Sequence, residues 1–185
     1  MQLPEFEIRS APFKAEGNTV FGTAIVYDKP SIPLPFIETI QQGAATEFLR
    51  SNPTVLALYN HDLSAVLAKF PTNMKLWEDK AGVNYSFELP ATTLGNDCRS
   101  LLSSGVLNAA SFKIHVPQGA ESWSTKNGVT SRSVSKISFP EISLVIVPAY
   151  PDATANLRSY QQHINNTLNK NNSETLRRLI ATWKF

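Results

Sequence analysis

A histidine, a serine and a carboxylate, each at the end of a separate strand-like segment, are the residues of this chain best suited to do chemistry. His61 stands in Asn60-His61-Asp62 after the segment Thr54 to Tyr59, Ser111 in Ala109 to Ile114, and Glu141 in Pro140 to Val145. A serine hydroxyl is a poor nucleophile until an imidazole takes its proton, and the imidazole needs a partner that fixes its tautomer and stabilises its charged form. Extended geometry prunes the pairings. Ser111 and His115 would share one strand and one face, but at roughly 3.3 Å per residue they lie about 13 Å apart, so His115 is not the base for Ser111. Asp62 directly follows His61 and, in extended backbone, points to the other face. Glu141 is therefore the better orienter, although a turn at His61 would bring Asp62 back as the alternative.

Other chemistries find little support. The three histidines are 54 and 48 residues apart, and with Cys98 alone there is no CxxC, HxH or HExxH spacing, so no metal is expected. None of the glycines falls into a GxGxxG or P-loop pattern, so no nucleotide cofactor is expected either. Aromatic residues are scattered rather than interleaved with Lys and Arg, which argues against a single-strand nucleic-acid surface. A lone cysteine requires no oxidising compartment. The amino terminus, with Pro4, Glu5 and Glu7, lacks the basic and then apolar pattern of a signal peptide. The longest apolar run, Ile142 to Tyr150, is broken by Ser143 and Pro148 and is too short to cross a bilayer. The chain reads as soluble and intracellular.

The elements that must position these residues are mostly strands. Phe21 to Tyr27, Thr54 to Tyr59 and Val83 to Leu89 are rich in β-branched and aromatic residues. Asn127-Gly128 predicts a type I′ hairpin that pairs Ser122 to Thr125 with Val129 to Ser135. Many short strands at this spacing suggest an antiparallel sandwich or a closed barrel. Thr93 can cap a helix whose apolar stripe is Leu94, Cys98, Leu101 and Leu102 and which Gly105 ends; a shorter helix fits Ala44 to Arg50. After Pro151 the spacing of Leu157, Tyr160, Ile164 and Leu168 becomes helical, and Ser173 can cap a second segment carrying Leu176, Leu179, Ile180 and Trp183. Charge divides at the same place: residues 1–151 carry 12 basic and 13 acidic groups, whereas residues 152–185 carry five and two. A nearly neutral domain over 1–151 followed by a basic helical extension over 152–185 is the expected organisation.

Several spaced elements resemble the prohead maturation proteases of tailed phages. Gly22 to Asp28 resembles the family's opening strand, and Phe36 to Ile40 with Gly43-Ala44 its E-x-I-x-x-G-A segment. Leu58 to Asp62 resembles the His-Asp element, and Leu101 to Leu107 followed by Ala110-Ser111-Phe112 the helix, glycine and Ser-Phe element. Glu141 to Ala153 resembles E-x-S-L-V-x-x-P-A-Y-P-x-A at nearly every position. The chain departs from the pattern at Gln42 and Ala45 around Gly-Ala, and at Lys113, where the family often has glycine after Ser-Phe.

The resemblance implies that Ser111 is the nucleophile, His61 the general base and then acid, and Glu141 the third member. It implies a fold similar to the herpesvirus maturation proteases, a closed antiparallel β-barrel surrounded by short helices, here with a helical C-terminal tail. It implies peptide hydrolysis through an acyl-enzyme, without cofactor, inside the assembling prohead in the host cytoplasm. The substrates would be the scaffold, the major coat protein and the protease itself, and the enzyme could act as a homo-oligomer without membrane partners. A catalytically idle, protease-like capsid or scaffold component is the competing expectation. Nucleic-acid binding through the tail, where Arg177 and Arg178 most simply form a solvated face, is the weaker one. His163 as third member in place of Glu141 is a minor variant.

Overall fold

A computed structural model describes residues 7–11, 13–31, 36–146, 163–167 and 170. In chain order the elements are β1 (Glu7–Ala11), β2 (Phe13–Glu16), β3 (Thr19–Val26), β4 (Ile37–Ile40), α1 (Thr46–Arg50), β5 (Val55–Tyr59), β6 (Asp62–Phe70), β7 (Met74–Glu78), β8 (Gly82–Glu88), α2 (Thr93–Ser103), β9 (Ala109–His115), β10 (Glu121–Lys126), β11 (Val129–Val134) and β12 (Ser138–Val145). They form three sheets, ordered β1-β9-β12-β5-β6, β2-β3-β8-β7 and β10-β11-β4. Neighbours are antiparallel except β12 with β5 and β11 with β4, which are parallel.

The strands carrying the three candidate residues are adjacent. β12 lies between β9 and β5, and its run from Glu141 to Val145 is buried, as expected of an interior strand covered on both faces. One face of this sheet is apolar: Ala110, Phe112 and Ile114 of β9, Ile142 and Leu144 of β12, and Val55 and Ala57 of β5 join Val20, Ala24, Val83 and Tyr85 of the second sheet in a single core. Side chains alternate along a strand. Ser111 and Lys113 of β9 and Glu141 and Ser143 of β12 therefore occupy the opposite face, away from that core.

The expectation of a closed antiparallel barrel is corrected: none of the three sheets closes. Closure requires the first and last strands of one sheet to pair with each other, whereas β1 and β6 end the first sheet, β2 and β7 the second, and β10 and β4 the third. The first two sheets are joined covalently at both ends, through residue 12 and through residues 71–73, rather than by a ladder. Alternating patterns and turn spacing are the same for open sheets and barrels, and they carry no signal for the two parallel pairings. Of the expected helical C-terminal tail, residues 163–167 and 170 are described and are helical; the rest of it, including the segment from Ser173 to Trp183, lies outside the described residues.

Local predictions fare better. The Asn127-Gly128 turn has both residues at positive φ, 51° and 77°, and β10 pairs with β11 from Glu121↔Val134 to Lys126↔Val129. The longer helix is capped one residue earlier than expected, by Thr92, whose Oγ1 accepts from the Gly95 N–H at 3.2 Å. Gly105 follows it at φ 73°.

The third sheet is pinned by an ion cluster built on the buried pair Arg132 and Glu38. Arg132 of β11 stands in register with Glu38 of β4 and Trp123 of β10. Its guanidinium donates to Glu38 Oε2 at 2.9 Å and to Glu121 Oε2 at 2.6 Å, and it lies 5.5 Å from the Trp123 ring centroid. Removing one member of a buried pair strands the other charge in a poorly solvated site, at a cost of about 3–5 kcal/mol. Arg132→Met is accordingly expected to lower the melting temperature by roughly 10 °C in calorimetry. An unchanged midpoint would show that the cluster contributes nothing net.

Candidate active site

The site begins with a tight turn. Asn60 and His61 both adopt positive φ, 51° and 60°, the two-residue I′ geometry that joins β5 to β6. Left-handed backbone is costly for a residue with a Cβ, and neighbouring contacts hold it: the Asn60 N–H donates to the Leu144 carbonyl of β12 at 2.9 Å. The turn thereby carries the imidazole of His61 over the polar face of β12, where Nδ1 hydrogen-bonds Glu141 Oε1.

Glu141 follows a register shift in the β9–β12 ladder between Ser138 and Glu141, an irregularity of the kind that re-aims a side chain. Its carboxylate is buried, and a buried carboxylate needs donors. Besides His61, Oε1 receives Lys113 Nζ at 3.3 Å and Ser143 Oγ at 3.4 Å. Burial pushes the Glu141 carboxyl up, but the hydrogen bond from His61 and the Lys113 charge outweigh it and hold the group below its ordinary value. Glu141 is therefore an anion at neutral pH.

That anion fixes the histidine tautomer. A carboxylate can only accept, so Nδ1 carries the proton and Nε2 of the neutral ring bears a lone pair. His61 Nε2 is buried and has no hydrogen-bond partner among the described residues. This is the state required of a general base.

Ser111 is fully buried on β9, in register with Ser143 of β12 on one side and Ser10 of β1 on the other. It is a diagonal neighbour of Glu141, a separation of about 7–8 Å along the sheet. An imidazole with two hydrogen bonds of about 2.8 Å spans such a gap. The hydrogen bond from Ser111 Oγ to His61 Nε2 is not made in this structure. Catalytic hydrogen bonds are often loose without substrate and tighten when it binds.

The structure thus joins His61 to Glu141 directly and sets Ser111 on the same sheet face. The turn at His61 that would have revived Asp62 is present, yet Asp62 is exposed and its Oδ1 accepts from Ser64 N at 2.8 Å and Ser64 Oγ at 2.6 Å. His115 stands four residues along β9 from Ser111, opposite Ser138. The His163 ring stacks on Trp123 of β10 at 4.6 Å, tying it to the third sheet rather than to His61. Lys113 and Ser143 are polar neighbours of Glu141 that are not among the sequence-predicted site residues. Lys113 had a signal: two residues from Ser111 on a predicted strand, it had to share the serine's face.

Among the described residues no cluster of His, Cys, Asp or Glu could hold a metal ion, and no helix is long and apolar enough to cross a membrane. The family model for the caudovirus prohead serine protease matches residues 5–169, a span that includes His61, Ser111 and Glu141. No curated protein and no solved structure matches the chain.

Proposed function

The chain belongs to the caudovirus prohead serine protease family, and from that premise we propose that it is an active endopeptidase with Ser111, His61 and Glu141 as its triad. The observation that carries this reading is the His61 ring, bonded through Nδ1 to an ionised buried carboxylate, with an Nε2 that has no hydrogen-bond partner among the described residues. Ser111 Oγ attacks the scissile carbonyl as its proton passes to Nε2; Glu141 stabilises the imidazolium; the same proton then goes to the departing amine. Water, activated by His61, releases the acyl group from Ser111. The substrates are the scaffold and coat proteins of the assembling prohead, and the protease itself.

Complete burial of Ser111 favours a second reading, a protease-like assembly component that never turns over. The two separate when the full wild-type chain is coexpressed with the scaffold and coat proteins of the same phage. The enzyme reading expects shortened products with new amino termini, identified by intact mass and terminal sequencing. Scaffold and coat of unchanged mass, in assembled particles that contain the chain, would support the idle component instead.

A further inference from the structure

We propose that Lys113 is a positioning residue that acts through Glu141, sharing its Oε1 with His61 and thereby setting how firmly the imidazole holds a proton during catalysis. The inference rests on the triad reading above.

The geometry sets Lys113 against Glu141. It is the cross-strand register partner of Glu141, two residues beyond Ser111 on the same strand, and its Nζ lies 3.3 Å from the oxygen that also binds His61 Nδ1. Ser143 Oγ of β12, which carries no charge, also donates to that oxygen, at 3.4 Å. Farther along β9, His115 is level with Ser138. On the β5–β6 side, Asp62 is occupied by Ser64. On β1, Ile8 and Ser10 hold the register positions of Lys113 and Ser111. One carboxylate thus serves two cations whenever His61 is protonated.

That arrangement has two opposed consequences. A permanent ammonium beside the imidazole opposes the build-up of positive charge on it. The same ammonium takes up part of the Glu141 charge that would stabilise imidazolium in the transition state, so the base is weaker once it is free. Lys113 therefore extends the working range into acid at the expense of maximal rate.

The test uses the full chain and a fluorophosphonate probe. The serine Oγ–P bond forms, the P–F bond breaks with departure of fluoride, and the serine proton passes to His61 Nε2. Labelling rate is followed against pH for wild type, Lys113→Met, Lys113→Gln and Lys113→Arg, with Ser111→Ala as control. For the Met and Gln variants the acid limb is expected to move to higher pH by on the order of 1 unit, the low end for a like charge at this distance, because Lys113 is 29% exposed and partly screened by solvent. Their plateau rate is expected to rise about threefold with the stronger base. The Arg variant, which keeps the charge, should retain the wild-type limb. Uniform loss at every pH, or a Gln variant that behaves as Arg does, would make Lys113 a structural hydrogen-bond donor and overturn the assignment. Labelling that persists in Ser111→Ala would remove the triad reading and this inference with it, whereas loss of labelling there beside an unmoved limb in Lys113→Met removes only the inference.

Discussion

Ser111→Ala is expected to reduce cleavage of coexpressed scaffold and coat protein by about 10⁴-fold or more, leaving the residual 10³ to 10⁴ over water that positioning and electrostatic stabilisation provide without a nucleophile. The substitution removes one oxygen from a fully buried strand position flanked by β1 and β12. Its effect on stability should stay near 1 kcal/mol, the net worth of a typical hydrogen bond. Loss of activity with a nearly unchanged melting curve is therefore the expected signature, read by product mass in the coexpression assay and by calorimetry on the purified variant. Unchanged cleavage would mean that another residue attacks the peptide, and Ser143, across the ladder from Ser111, would be the first to examine.

Glu141→Gln is expected to cost about 10⁴-fold in the same assay. In triads of this type, exchanging the carboxylate for an amide leaves the geometry nearly intact but allows the wrong histidine tautomer and removes the charge opposite the imidazolium. Here the effect should be especially clear, because the amide would also face Lys113 without a negative charge to offset it. Asp62→Asn provides the contrast. The Asp62 carboxylate is turned to Ser64 and held below its ordinary value by those hydrogen bonds, so activity should remain within a few-fold of wild type. If Asp62→Asn were as damaging as Glu141→Gln, the orienting role would belong to the turn residue.

What could be read from the sequence was mainly local. β3, β5, β8, β9 and β12 were visible as apolar or β-branched runs, and Asn127-Gly128 announced its hairpin because few residue pairs tolerate two consecutive left-handed positions. Asn60-His61 makes the same kind of turn with a residue that seldom adopts it, so the sequence carries only a weak signal for the turn beneath the candidate base. β6 has little strand signal in the sequence: Asp62-Leu63-Ser64-Ala65-Val66 has no strict alternation, and Leu63 and Val66 are exposed on an edge strand.

Pairing across long distances was illegible for a different reason. The parallel ladder between β5 and β12 joins Leu56–Tyr59 to Glu141–Leu144, and nothing in either segment names the other. The same holds for Lys113 and Glu141, whose contact depends on the β9–β12 register. Family resemblance supplied the three candidate residues together; the fold supplied the bond between two of them and the cation beside it. It also removed the closed barrel, since sheet closure depends on edge strands meeting in space.

The most direct measurement of the central claim is the site of fluorophosphonate modification on the wild-type chain, mapped by peptide mass spectrometry. The triad account predicts a single adduct on the peptide containing Ser111, with its formation abolished by His61→Ala. An adduct on Ser143 or any other serine, or modification of Ser111 that proceeds equally well in His61→Ala, would contradict it.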